Sequence, residues 1–192
     1  MKNIAIFASG SGSNAENIIK YFKNHPYIRI DSVWSNKKEA YVLQRVQNLD
    51  VEARYFTRAQ FTGSDELIKE LQKRNIDLIV LAGFLWLVPP QFVDSFTIIN
   101  IHPALLPTYG GKGMYGSVVH ETVVRNREKE SGITIHLVNK EYDKGAHLLQ
   151  VKCPVFPDDT AETLAARIHE LEYEYFPRSI EDYINGSEKL II

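Results

Sequence analysis

The sequence predicts an α/β protein with an open, mostly parallel twisted sheet, helices on both faces and an antiparallel strand pair near the C-terminus. Short apolar runs alternate with stretches of helical apolar spacing in the order β-α-β-α-β-α-β through residue 84. Such alternation is typical of a parallel sheet covered by helices. Two later apolar runs, 132–138 and 148–155, are joined by a segment too short for a helical crossover, which predicts an antiparallel pair.

The predicted elements follow in chain order. Five strands are predicted before the antiparallel pair, at 3–8, 28–35, 51–56, 77–84 and 97–101. The run 77–84 is continuously apolar, as expected for a central parallel strand buried on both faces. Apolar spacing predicts helices at 14–24, 37–48, 64–75 and 89–95, and a long helix from about Thr160 to Tyr175.

Composition limits the class of protein. The 192 residues contain no linker-like or repetitive tract, so we expect one domain, 1–192, with a possible loose tail at 185–192. The net charge of −2 gives no support to a nucleic-acid binder. No apolar stretch approaches the length of a membrane span. Cys153 is the single cysteine, which favours the reducing cytoplasm over a disulfide-forming compartment.

The segment ASGSGSNAENI, 8–18, joins the first strand to the first helix through glycine and serine. Glycines allow close backbone approach, and a helix N-terminus offers free N–H groups to an anion, so the favoured interpretation is a phosphate cradle. A dinucleotide fingerprint fits less well, because the second strand ends in Trp34-Ser35-Asn36 rather than in an acid. A simple tight turn is the remaining interpretation.

The segment NIHP, 100–103, ends the fifth strand. Asn100 and His102 lie two residues apart, so in an extended chain their side chains point to the same face. An amide donor and an imidazole on one face can bind an oxyanion and move a proton. The alternative is a capping asparagine beside a structural histidine.

The segment 132–150 carries His136 within an alternating strand and Asp143 in the tight connection that follows. A loop aspartate is most often a turn residue. Its functional interpretation is a carboxylate that reaches His102 and raises the pKa of the imidazole. The six histidines form no metal-binding motif, so no metal is expected. Cys153, in an apolar strand, is not expected to be a nucleophile.

These motifs, in this order, closely resemble the folate-dependent phosphoribosylglycinamide formyltransferases. The matching segments are FASGSGSN at 7–14, LAGF at 81–84, INIHPALLP at 99–107, GITIHLV at 132–138, the Asp and Gly at 143 and 145, LLQVKCPV at 148–155 and ARIHELEYEYFP at 166–177. The resemblance implies a Rossmann-like formyltransferase fold. It also implies a phosphate-binding half at 1–100 and a folate and catalytic half at 100–184.

The resemblance also implies roles for individual residues. Asn100, His102 and Asp143 would be catalytic, and Asn100 would also contact the folate. The ribotide would be held by Gly12, Ser13, Asn14 and Glu172, and the folate by Arg58, Leu85, Trp86, Leu87 and Val88. Many family members carry Arg where this chain has Trp86, and the loop YGGKGMYGSVVH, 109–120, departs from their commoner form while staying glycine-rich.

The implied reaction transfers a formyl group from 10-formyltetrahydrofolate, as co-substrate, to the amine of 5′-phosphoribosylglycinamide in de novo purine synthesis. The implied protein is a cytoplasmic monomer or homodimer that uses small-molecule substrates, with no metal, nucleic acid or membrane. Two related enzymes are the alternatives. A 10-formyltetrahydrofolate hydrolase is expected to carry an extra domain before the catalytic core, and a methionyl-tRNA formyltransferase is expected to carry one after it. A non-catalytic nucleotide-binding module is the alternative from another class.

Overall fold

The computed structural model describes residues 1–186. The chain forms two compact units, of which the first is Met1–Ile99 and the second begins at Asn100. The predicted loose tail at 185–192 therefore lies outside the described residues, apart from Asn185 and Gly186. The expectation of a single domain stays a prediction.

Seven strands form a sheet in the order β3-β2-β1-β4-β5-β6-β7. They are β1 (Lys2–Ala8), β2 (Ile28–Ser35), β3 (Glu52–Tyr55), β4 (Ile76–Leu81), β5 (Thr97–His102), β6 (Glu130–Leu137) and β7 (His147–Pro154). The helices are α1 (Ser13–Phe22), α2 (Tyr41–Arg45), α3 (Arg58–Thr62), α4 (Glu66–Lys73), α5 (Pro90–Ser95), α6 (Ser117–Arg125) and α7 (Ala161–Ile184).

The first unit is built on parallel strands. β1 pairs in parallel with β2 and β4, and β2 pairs in parallel with β3. β1 and β4 are buried over almost their whole length, as the continuous apolar runs require. The amphipathic helix α1 buries Ala15, Ile18, Ile19 and Phe22. The predicted parallel sheet is confirmed for these strands.

In the second unit, β6 and β7 pair antiparallel, with Ile133 opposite Val151. This pair was predicted from the short connection and is confirmed. The strands approach closely at Gly132, where an added Cβ would lie 2.0 Å from the Val151 carbonyl oxygen. A side chain at this position would therefore push β7 away from β6.

Several helices differ from their predicted extents. The predicted helix 37–48 is divided into α2 and a 3₁₀ turn, Val46–Leu49. The glycine-rich segment 109–120 is not a loop throughout, because α6 begins at Ser117 and buries Val119 and Val123. α3, which begins after a capping box at Thr57, was not predicted.

α7 continues past its predicted end at Tyr175 to Ile184, with Pro177 inside the helix. An internal proline removes one helical hydrogen bond and costs about 3 kcal/mol. Phe176 and Ile180 on either side of it are fully buried. Burying two large apolar side chains stabilises by about 3–6 kcal/mol, which offsets that cost.

Candidate active site

Three of the predicted site residues lie together in the second unit, where β5 ends and the β6–β7 connection begins. His102 is buried, and its Nδ1 atom lies 3.7 Å from Oδ2 of Asp143. The other carboxylate oxygen of Asp143 lies 3.6 Å from Nε2 of His136. Asn100 contacts the same His136 nitrogen through its Nδ2 atom, at 3.1 Å. His136 is therefore a common neighbour of Asn100 and Asp143.

Backbone groups hold this cluster in place. Nε2 of His102 lies 2.8 Å from the Tyr109 carbonyl oxygen, which can only accept, so Nε2 carries a proton. The Gly111 N–H donates to Oδ2 of Asp143 at 2.8 Å. Asp143 itself has a positive φ of 54°, a conformation that aspartate tolerates better than most residues. The glycine-rich segment after β5 thus fixes both the imidazole and the acid.

Burial dominates the electrostatics of His102. It lowers the pKa of the imidazole and outweighs the Asp143 carboxylate and the Tyr109 carbonyl, which raise it. Asp143 raises the pKa of His102, as the sequence predicts. The net shift is nevertheless downward, so the prediction of a raised pKa for His102 is wrong. Burial also raises the pKa of Asp143, but the neighbouring His136, His102 and Gly111 N–H together bring it below its usual value.

Glu172, the predicted ribose ligand, lies in α7 and is buried. Its Oε2 lies 2.9 Å from Nδ1 of His169, and this hydrogen bond raises the pKa of His169. His120 of α6 is also buried, and its pKa is lowered by burial although Glu172 acts to raise it. Nδ1 of His120 has no hydrogen-bond partner within the described part of the chain. Glu172 and His120 are thus buried polar groups of the second unit, and the exposed His169 is hydrogen-bonded to Glu172.

The first unit holds the predicted phosphate cradle. Gly12 precedes α1 with φ of 76°, a left-handed conformation that glycine adopts without strain. An added Cβ at Gly12 would lie 2.3 Å from Cγ2 of Val42. Arg45 braces the loop by donating from Nε to the Ser11 carbonyl at 2.8 Å and by pairing with Glu16. Ser13 and Asn14 lie in the first turn of α1, and the N-terminal end of a helix attracts anions.

The predicted folate residues also lie in the first unit. The guanidinium of Arg58 stacks over the Trp86 ring, 5.4 Å from its centre, so the indole is accompanied by a positive charge. Leu87 is 40% exposed, whereas Val88 is only 4% exposed. The Leu85 N–H donates to Oγ of Ser9, which in turn donates to Oδ1 of Asn36. The buried side chain of Val88 belongs to the core of the first unit.

Sequence reasoning assigned no role to His136 or Ser9. His136 is a polar residue at a buried position of an alternating strand, and a buried polar side chain needs hydrogen-bond partners, which is a sequence signal of a functional role. Ser9 carried no comparable signal, because a serine beside glycines is common in turns. No cluster of three or more His, Cys, Asp or Glu suited to a metal occurs within residues 1–186, and no helix of that range is long and apolar enough to cross a membrane.

Comparison with known proteins gives a consistent result. Residues 2–180 match the profile of the protein family described as Formyl transferase. A phosphoribosylglycinamide formyltransferase from Haemophilus influenzae is 38% identical over 197 aligned residues, which cover 99% of this chain and 91% of that protein.

Solved structures agree in fold. The glycinamide ribonucleotide transformylase 1 of Symbiobacterium toebii superposes with a TM-score of 0.87 at 31% identity, covering 97% of this chain and 89% of the other. The phosphoribosylglycinamide formyltransferase of Streptococcus pneumoniae TIGR4 gives 0.84 at 34% identity, covering 96% and 99%. The fold is that of the formyltransferases.

Proposed function

Since this chain belongs to the formyl transferase family, we propose that it is a phosphoribosylglycinamide formyltransferase. It transfers the formyl group of 10-formyltetrahydrofolate to the amine of 5′-phosphoribosylglycinamide and gives formylglycinamide ribotide in de novo purine synthesis. The observation that carries the proposal is the cluster of Asn100, His102 and Asp143, supported by relatives and solved structures of that name.

The reaction begins when the amine nitrogen attacks the formyl carbon and the carbonyl electron pair moves onto oxygen. Asn100 donates a hydrogen bond to this oxyanion, and a donor so placed contributes about 3 kcal/mol to the stability of the transition state. Holding the two substrates in line contributes further, because orientation alone can supply roughly 7–11 kcal/mol.

The proton released by the attacking amine must reach the leaving nitrogen of the folate. Because Nε2 of His102 is already protonated, Nδ1 carries the lone pair and can take up this proton. The resulting imidazolium lies beside the Asp143 carboxylate, which stabilises it. In that state His102 can donate to the oxyanion or to the leaving nitrogen, whose bond to the formyl carbon then breaks.

Substrate binding is assigned residue by residue. Gly12, Ser13 and Asn14 bind the phosphate of the ribotide through the start of α1, and Glu172 accepts hydrogen bonds from the ribose hydroxyls. Arg58, Leu85, Trp86, Leu87 and Val88 contact the folate, with Val88 acting through its backbone. The cytoplasmic location, the absence of a metal and the monomeric or dimeric state stay predictions.

A spectrophotometric assay of tetrahydrofolate release tests the proposal. The purified protein is mixed with a 10-formylfolate donor, with and without phosphoribosylglycinamide, and the formylated product is identified by mass spectrometry. We expect release only when the ribotide is present. Release at the same rate without ribotide would identify a hydrolase, and tight nucleotide binding without turnover would identify a non-catalytic module.

A further inference from the structure

His136 is a buried histidine whose two ring nitrogens both meet polar atoms. It lies in β6 and is 1% exposed. Nδ1 lies 2.9 Å from the carbonyl oxygen of Leu137, and Nε2 lies 3.1 Å from Nδ2 of Asn100. The proposed reaction uses Asn100, His102 and Asp143, and it leaves His136 without a function.

The two contacts determine where the His136 proton sits. A carbonyl oxygen only accepts, so Nδ1 must carry a hydrogen and donate it to Leu137. Nδ2 of Asn100 only donates, so Nε2 must present its lone pair. The neutral tautomer with its proton on Nδ1 satisfies both contacts at once. The Asp143 carboxylate, whose pKa a protonated His136 lowers, lies 3.6 Å from Nε2, beyond a normal hydrogen-bond distance. The nearer Asn100 amide, at 3.1 Å, therefore decides the tautomer of the neutral ring.

This tautomer has a consequence for Asn100. One N–H of its amide is bound to Nε2 of His136, so the second N–H remains for another acceptor. If the amide turned by 180°, its oxygen would face the Nε2 lone pair and the hydrogen bond would be lost. The same turn would direct an oxygen, instead of an N–H, at the developing oxyanion. His136 therefore favours the orientation in which the amide can stabilise the transition state.

We propose that His136 is a positioning residue that fixes the amide of Asn100 by accepting its hydrogen bond at Nε2. The inference rests on the proposed function, because it assigns Asn100 the oxyanion. The plain alternative is a core histidine that only fills space in β6. A space-filling residue needs no acceptor at Nε2, and this difference can be tested.

Two substitutions separate the ring nitrogens. In His136→Gln the side-chain amide extends to about the position of Nε2, so its oxygen can accept from Asn100. In His136→Asn the amide reaches only the position of Nδ1, so the contact with Leu137 is kept and the one with Asn100 is lost. The Asn variant thus serves as the matched control for burying a neutral amide at this position.

We expect kcat of His136→Asn to fall about tenfold or more with KM changed less than about threefold, since only a transition-state interaction is weakened. His136→Gln should recover most of the lost turnover. Unfolding midpoints of the two variants should agree closely. Equal kcat values for the two variants would overturn the proposal, as would a fall in activity that follows only the loss of stability.

A measurement that needs no turnover completes the test. Nitrogen-15 NMR of the labelled wild-type protein should show a protonated Nδ1 and an unprotonated Nε2 in His136, with coupling across the hydrogen bond to Nδ2 of Asn100. A protonated Nε2 would overturn the role of His136. A wild-type protein that releases no tetrahydrofolate would instead count against the proposed function, so the two failures are distinguishable.

Discussion

Nδ1 of His102 lies 3.7 Å from the Asp143 carboxylate, yet the pKa of His102 is below its usual value. Burial disfavours the imidazolium more than the carboxylate favours it. The pair is therefore a neutral base beside a negative charge, and it becomes an ion pair when a proton arrives. Such an arrangement suits a residue that must accept a proton during the reaction and release it before the next turnover.

Truncating either proposed donor should slow the reaction strongly. We expect Asn100→Ala and His102→Ala each to lower kcat by about 10²-fold or more, because each removes a group that interacts with the developing oxyanion or its proton. The tetrahydrofolate assay measures the loss, and circular dichroism checks the fold. Asn48→Ala, at an exposed position, is the control. Wild-type turnover in either site variant would exclude that residue from catalysis.

Removing the charge of Asp143 should lower the pKa of His102 further. Burial lowers this pKa, and the Asp143 carboxylate is the largest influence that raises it. Asp143→Asn removes that influence, so the effect of burial increases. An NMR titration of the His102 ring should show the shift, and the acid limb of the pH–rate profile should move to lower pH or disappear. Asp158→Asn, an exposed aspartate, should change neither. An unchanged titration of His102 would remove Asp143 from the mechanism.

A methyl group at Gly12 should disturb the phosphate cradle. In Gly12→Ala the new Cβ would overlap Val42, and φ of 76° would strain any residue other than glycine. We expect a loss of about 1–3 kcal/mol in unfolding free energy and weaker binding of the ribotide. Gly10→Ala is the matched control, since no atom lies within 4 Å of its added Cβ. Urea unfolding and isothermal titration with ribotide measure the two effects.

Neighbouring apolar residues at 87 and 88 should respond differently to truncation. Leu87 is exposed, so Leu87→Ser should leave stability nearly unchanged and raise the folate KM about 5- to 20-fold by removing apolar contact. Val88 is buried, so Val88→Ala should cost about 1–3 kcal/mol of stability. An unchanged folate KM in Leu87→Ser would show that this side chain does not contact the folate.

Acid should destabilise the fold from about neutral pH downward. The pKa values of His102 and His120 are lowered by burial, so the unfolded chain binds protons more readily and stability falls as pH drops through 6.5, their unperturbed value. His169 acts oppositely, because its raised pKa gives stability that is present at low pH and lost as pH rises.

Urea unfolding between pH 8 and pH 5 checks this expectation. As the pH falls, the unfolding free energy of His120→Gln should decrease less steeply than that of the wild type. The unfolding free energy of His169→Gln should decrease more steeply. The His169 effect should be the smaller one, because its side chain is half exposed. A decline of the same slope in all three proteins would mean that other groups, such as the carboxylates, control acid stability.

Much of the fold followed from local patterns. The apolar runs of β1 and β4 and the short connection between β6 and β7 correctly predicted the parallel strands and the antiparallel pair. The end of α7 could not be predicted, because Pro177 is a helix breaker unless tertiary burial of its neighbours compensates. α6 was hidden by the preceding glycines, although Val119 and Val123 have helical spacing.

The candidate site was predictable only in part. Asn100 and His102 share a strand, so their common face followed from the strand period. The proximity of Asp143 to His102 was one of two interpretations of a loop aspartate, and only the resemblance favoured it over a turn residue, since no local rule relates residues so far apart. The net pKa shift of His102 was not accessible, because it depends on how deeply the imidazole is buried. The tautomer of His136 likewise requires both of its partners to be located in space.

Gly145 sets a practical limit on engineering the hairpin that presents Asp143. An added Cβ there would lie 1.5 Å from the Leu137 carbonyl oxygen, so the backbone itself blocks every other amino acid. A saturation library across 139–146 should therefore return only the original codon family at 145. Fluorescent labels or affinity tags belong instead at the exposed positions 140 and 141. An attachment there does not disturb the close contact between Gly145 and the Leu137 backbone.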